Sequence, residues 1–254
     1  MEKIFENDEI LIYSTPSLDI INDSIIEHTL KKLDEYRNIF KKEKLEKCTI
    51  MLYDNLEEYR SDAVRIRKCE IPDYSRGWFS TRNGVSYCCF ELDQLEENKN
   101  NIHYWNKKIS TSSHELFHYY YRIYYYGDNR ITWFDEGMAQ YLSGETMSYT
   151  EENWSNTFNK FINGYQTITN LNDRINGNSS VPDELIFYRS NVFDGYVASL
   201  LAIKYLFDTK GEEYVFDIMF DNERILEEGK DILNRMIEYY GQVYKEKPQI
   251  KNWC

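Results

Sequence analysis

The pattern of apolar and polar positions divides the chain into a front part of alternating strands and helices and a back part that reads as helical. Residues 8–14 (Asp-Glu-Ile-Leu-Ile-Tyr-Ser) predict a strand. An amphipathic helix is expected from Pro16 to about Lys42, with Ile21, Ile25, Ile26, Leu30, Leu33 and Phe40 among its buried positions. Cys48 to Tyr53 predict a second strand, residues 54–67 a short helix, and Gly84 to Leu92 a further strand, with Pro72 and Gly77 marking loops between. The polar, Asn-rich run from Glu96 to Lys108 reads as a surface loop that enters a helix near Ile109 and continues through Tyr126. That helix is apolar or aromatic nearly all round, through Leu116, Phe117, Tyr119, Tyr120, Tyr121, Ile123 and Tyr124. A helix with no polar face belongs at the centre of a domain. From Gly127 onward helices are expected near 133–143, 151–163, 192–208, 211–220 and 228–245, with a flexible loop rich in Asn, Asp, Gly and Ser from Asn170 to Pro182.

The central helix carries the chemistry. It contains Ser113-His114-Glu115-Leu116-Phe117-His118-Tyr119. Each helical residue advances about 100°, so histidines four apart lie within about 40° of each other, one turn up the same face. Both imidazoles can reach one ion, and Glu115 projects beside them as an acceptor for a proton from water without binding the ion itself. His-Glu-x-x-His fixes only three positions and arises by composition in roughly one chain in a hundred of this length, so the motif needs support. Downstream, Trp133-Phe134-Asp135-Glu136-Gly137-Met138-Ala139-Gln140-Tyr141 sets an acidic residue among aromatic and small ones, as a second buried helix would. Glu136 is the candidate third ligand. A capping-box spacing of Ser112 and Glu115 offers a second reading, in which the helix begins only at Ser113.

These two motifs resemble those of gluzincin metallopeptidases, in particular aminopeptidase-N-like and peptidase-MA-like catalytic domains, whose second motif reads Trp-x-x-Glu-Gly-x-Ala-x-Tyr. Trp133, Glu136, Gly137, Ala139 and Tyr141 fill its fixed places, and residues 119–135 leave room for a helix end, a turn at Gly127-Asp128-Asn129 and a second helix start. The resemblance covers about residues 45–210 in pattern and is specific only at the two metal motifs. It implies an α+β fold of the thermolysin-like two-lobed kind. Residues 1–126 would form an α/β lobe with a twisted mixed sheet ending in the metal helix, and residues 127–254 a mainly helical lobe, with the substrate cleft between them. It also implies one catalytic zinc ion held by His114, His118 and Glu136, with Glu115 as the general base. In the relatives a tyrosine just before a long helix donates to the oxyanion. Tyr188, in Ile186-Phe187-Tyr188-Arg189-Ser190-Asn191, occupies that place, with a packing role or Tyr196 as the alternatives. The relatives' substrate peptide adds to an exposed edge strand ahead of the metal helix. Residues 84–90 are the candidate edge, a plain core strand being the alternative.

Two imidazoles and a carboxylate are a catalytic rather than a structural zinc set, because a fourth position stays open to water. Such an ion lowers the pKa of water to about 7, and the reaction class this points to is amide hydrolysis. Around the ligands, Asp135, Gln140 and Asp194 are candidates to orient them. His28 and His103 read as surface or packing residues. Gly84-Val85-Ser86-Tyr87-Cys88-Cys89-Phe90 contains no acidic residue and nothing like the Gly-x-Met-Glu-Asn segment that binds the substrate amine in aminopeptidase-N-like enzymes. The reading is therefore an endopeptidase or specialised amidase acting on a peptide or protein, with a non-cleaving peptide-binding protein on the same scaffold as the alternative.

Composition narrows the partners. The 254 residues suffice for a sizeable core, 42% of them hydrophobic and 16% aromatic, and the 23 tyrosines mean that burial must rely on rings bearing a hydroxyl. A net charge of -13 argues against nucleic acid and anionic membrane, which call for clustered Lys and Arg. The most apolar stretch, Val197 to Phe207, is interrupted by Lys204 and is too short to span a bilayer. The N-terminal residues lack a basic start followed by an apolar run, so no secretory signal is read and a cytoplasmic location is expected. Five cysteines (Cys48, Cys69, Cys88, Cys89, Cys254) form no Cys-x-x-Cys pair and read as packed thiols of a reducing compartment, Cys88 and Cys89 facing opposite sides of their strand.

Overall fold

The computed structural model describes residues 1–67, 75–126, 130–167 and 192–245. The fold is α+β: a mixed five-stranded sheet and helices. By its contacts the chain forms two compact units, Met1–Arg130 with Ala139–Ser148, and Ile131–Met138 with Tyr149–Cys254.

In the first unit the strands are β1 (Glu2–Glu6), β2 (Ile10–Ser14), β3 (Cys48–Tyr53), β4 (Gly77–Ser80) and β5 (Val85–Cys89). Their order across the sheet is β1-β2-β3-β5-β4. The middle pairs β2/β3 and β3/β5 are parallel, while β1 and β4 run antiparallel to their neighbours. A parallel pair needs a long crossover. Helix α1 (Asp19–Ile39) supplies one and α2 (Leu56–Arg67) lies in the other. The β4–β5 hairpin turns at Gly84, whose φ of 61° is readily open only to glycine.

Side chains alternate across each strand, so the sheet has two lined faces. Met51, Tyr53, Trp78, Val85, Tyr87 and Cys89 pack with Leu56, Tyr59, Ala63 and Ile66 of α2. Trp78 and Tyr87 stack there at a centroid separation of 4.1 Å and 6° between planes. The other face is covered by α5 (Thr111–Tyr121), which follows α3 (Leu92–Glu97) and α4 (Ile102–Ile109) and runs on into a π-helical turn, Arg122–Tyr126. Nine of the eleven residues of α5 are buried, as its all-round apolar surface predicts. Tyr36 of α1 and Phe40, which caps its C-terminal end, meet Phe117 and Tyr120 at ring separations between 5.8 and 6.5 Å. Tyr36 Oη also donates to the Ser113 carbonyl at 3.0 Å, tying α1 to the turn that carries His114.

The described residues of the second unit are helical. The unit contains the first part of α6 (Thr132–Leu142), then α7 (Glu151–Thr167), α8 (Val192–Lys210), α9 (Glu212–Ile218), α10 (Asn222–Gly229) and α11 (Ile232–Lys245). Phe158 of α7 lies against Tyr240 and Tyr244 of α11, both at 5.8 Å. Beside it, the Lys204 ammonium sits 5.0 Å over the Trp154 ring while pairing with Asp208 at 2.7 Å.

Several expectations need correction. Residues 84–90 do not form an exposed edge, because β5 is hydrogen-bonded on both sides, to β3 and to β4. The edge on that side of the sheet is β4, a strand that the reading of Gly77 as a loop residue passed over. β1 was likewise not anticipated. The stretch from Glu96 to Lys108 is not a loop: it holds the end of α3 and all but the last residue of α4, whose start is capped by Asn101 Oδ1 accepting from the amides of His103 and Tyr104 at 3.2 Å. The capping-box reading of Ser112 and Glu115 also fails. The helix starts at Thr111, and Ser112 Oγ instead meets Thr29 Oγ1 at 3.0 Å. Among the described residues no helix is long and apolar enough to cross a membrane.

Candidate metal centre

Helix α5 presents His114 half-buried, with Glu115 and His118 buried. The spacing of four brings the two Nε2 atoms 3.0 Å apart, with the rings nearly perpendicular at 82°. In a tetrahedral zinc shell with bonds of about 2.0–2.1 Å, donor atoms stand about 3.3–3.4 Å apart. The histidine pair therefore needs little movement to chelate one ion, provided both rings carry their proton on Nδ1 and turn the Nε2 lone pairs to a common point.

Glu136 is buried on α6, in the turn that also holds fully buried Trp133, Phe134 and Asp135. The ligand atoms of His114, His118 and Glu136 all lie within 4.8 Å of one another. Two neutral imidazoles and one carboxylate fit a divalent zinc ion in donor type and in number, leaving one position open. Gly137 explains why the helix can lie where it does. A Cβ there would stand 2.5 Å from both the Ser199 carbonyl oxygen and Ile203 Cγ1 of α8, so only glycine permits this approach.

The rest of the site comes from β4. Successive side chains point to opposite faces, so Gly77 and Phe79 face α5 while Trp78 faces α2. The Phe79 ring stacks on His118 with centroids 5.7 Å apart. Gly77 runs against Glu115 so closely that a Cβ on it would lie 2.3 Å from Glu115 Oε1. The sequence reading made Gly77 a loop residue and did not single out Phe79, because a four-residue run with one glycine gives too short an alternation to read as a strand. No acidic residue occurs in Gly77-Trp78-Phe79-Ser80, so the true edge strand, like residues 84–90, lacks the amine-binding pattern.

Among the other predicted residues, Gln140 is buried on α6 and Tyr196 is half-buried on α8. Tyr188, the Asp194 side chain, Cys69, Cys254 and the 170–182 loop lie outside the described residues. His28 is a packed core residue, its Nε2 2.6 Å from the Ser143 carbonyl oxygen, and burial lowers its pKa. His103 Nδ1 pairs with Ser148 Oγ at 2.7 Å. Cys48, Cys88 and Cys89 are buried free thiols whose pKa values burial raises, that of Cys89 to about 11. No protein-family model and no curated protein matches the chain.

Proposed function

We propose that the chain is a zinc-dependent peptidase of the gluzincin type, acting on peptide or protein substrates as an endopeptidase rather than an aminopeptidase. The observation that carries this reading is the convergence of the His114, His118 and Glu136 ligand atoms within 4.8 Å, beside a buried carboxylate, Glu115, on the same helix turn. Zinc bound to these three residues would supply Lewis acidity and a lowered water pKa. Glu115 takes one proton from the water that attacks the scissile carbonyl and passes it to the departing amine nitrogen as the C–N bond breaks. Tyr188 donates to the oxygen that gains negative charge, a role taken from the family resemblance.

The edge strand gives the substrate a register. Arg76 and Cys89 form a hydrogen-bonded pair, with Cys89 N donating to Arg76 O at 2.8 Å. In an antiparallel ladder such pairs alternate with pairs whose amides and carbonyls turn outward. Gly77, opposite Cys88, and Phe79, opposite Ser86, are then the outward-turned residues of β4. The Gly77 carbonyl accepts from Ser75 Oγ at 2.9 Å, which leaves the Gly77 amide and both Phe79 groups for an extended peptide. The same proposal includes the thermolysin-like two-lobed arrangement, supported by the strand and helix order leading into α5 and by the helices after α6. A cytoplasmic location fits the free thiols of Cys48, Cys88 and Cys89.

The test combines metal analysis with a diverse peptide library read by mass spectrometry. About one zinc per chain and a consistent cleavage pattern support the peptidase. Peptides retained but uncut would mark a non-cleaving binding protein, and the absence of both bound zinc and peptide capture would overturn the reading.

A further inference from the structure

We infer that Gly77 is a positioning residue for Glu115: the volume left by its absent side chain is where the Glu115 side chain rests. A Cβ on Gly77 would stand 2.3 Å from Glu115 Oε1 and 2.9 Å from both Cδ and Cγ. All three are well inside van der Waals separation, and Cγ belongs to the stem, so turning the carboxylate alone does not clear the contact. Gly77 is not among the glycines with positive φ, so an alanine is free to adopt its backbone angles and the clash alone decides the outcome.

The strand has little room to withdraw. Gly77 lies opposite Cys88, its neighbour Trp78 stacks on Tyr87, and its carbonyl is held by Ser75 Oγ, which in turn meets Tyr59 Oη at 3.2 Å. Helix α5 is equally fixed by its burial against the sheet and α1. Of the three, the Glu115 side chain is the one joined to its backbone by rotatable single bonds, so it is the one that yields. A side chain at position 77 therefore moves that carboxylate and leaves the two histidines on their own turn of α5. The steric coupling stands on geometry alone; its effect on rate rests on the proposed role of Glu115.

The experiment is a double-mutant cycle of Gly77→Ala and Glu115→Ala in the full chain, reading the chemical unfolding midpoint, zinc content, kcat and KM. Gly77→Ala is expected to lower the midpoint and keep zinc, and to reduce kcat about 100-fold with KM little changed, as for a misplaced catalytic group. In the Glu115→Ala background the same alanine should leave the midpoint unmoved. Should Gly77→Ala alone fail to fold, the double variant is expected to fold. An equal drop in both backgrounds, or no drop in midpoint and no loss of kcat, overturns the inference. Coupling in stability without hydrolysis by the wild type would keep the positioning and remove the peptidase reading, whereas hydrolysis without coupling would do the reverse.

Discussion

The Phe79 ring lies on the His118 imidazole with 5.7 Å between centroids and 23° between planes, so an edge-strand residue holds a metal-ligand candidate in place. Ring packing of this kind restricts rotation of the imidazole, as hydrogen-bonding partners of metal ligands do. Phe79→Ala is expected to weaken zinc binding about tenfold, measured by competition with a chromogenic chelator, while Phe79→Tyr keeps wild-type affinity. Unchanged affinity in the alanine variant would remove Phe79 from the site.

Glu115 and Glu136 are separable by experiment, since only the second offers a ligand atom to the cluster. Glu115→Gln should retain zinc and lose hydrolysis by about 10²–10⁴-fold, the usual contribution of a general base. Glu136→Gln should lose zinc first, with activity falling in proportion to metal content. Loss of metal in both variants would mean that Glu115 binds the ion rather than the proton.

Gly137 predicts a stability effect without chemistry. An alanine there would press on Ile203 Cγ1 and on the Ser199 carbonyl, both at 2.5 Å. Overpacking costs about 1–3 kcal/mol, which equilibrium denaturation should detect. In a double-mutant cycle with Ile203→Ala, which removes Cγ1, only part of that cost is expected to appear as coupling, because the Ser199 contact is to backbone.

His28 sets a pH dependence of stability. Its folded pKa lies below the ordinary 6.5, chiefly through burial, with Lys32 adding to the shift while the Ser143 carbonyl and Glu35 oppose it. As pH falls through about 6.5 the unfolded chain takes up the proton first, so stability declines until pH passes the lower folded value and then levels off for this group. His28→Gln, which can still donate to the Ser143 carbonyl, should flatten that decline in unfolding midpoints taken from pH 7.5 to 5. An unaltered slope would contradict the assignment.

The sequence was legible where periodicity and chemistry coincide. β3 was read at its observed limits, and α5 was recognisable because an unbroken aromatic surface suits only a central helix. The approach of His114 to His118 follows from helical geometry, and the acidic residue whose carboxylate lies near them, Glu136, stands out in a motif of nine residues. The unread elements are short or polar: β1 is mostly exposed, β4 has four residues, and α4 depends on one asparagine cap. Gly77 illustrates the deeper reason. Its importance lies in a contact with Glu115, 38 positions away in the chain (115 − 77), and a glycine seen alone reads as a turn.

The buried thiols of β3 and β5 also provide a clock for the sheet. Cys48, Cys88 and Cys89 are shielded from solvent and disfavoured as thiolates, so an alkylating reagent meets them only when these strands part. Their labelling rates, resolved residue by residue in peptide maps, would time the opening of the platform on which α5 rests, with no probe added to the protein.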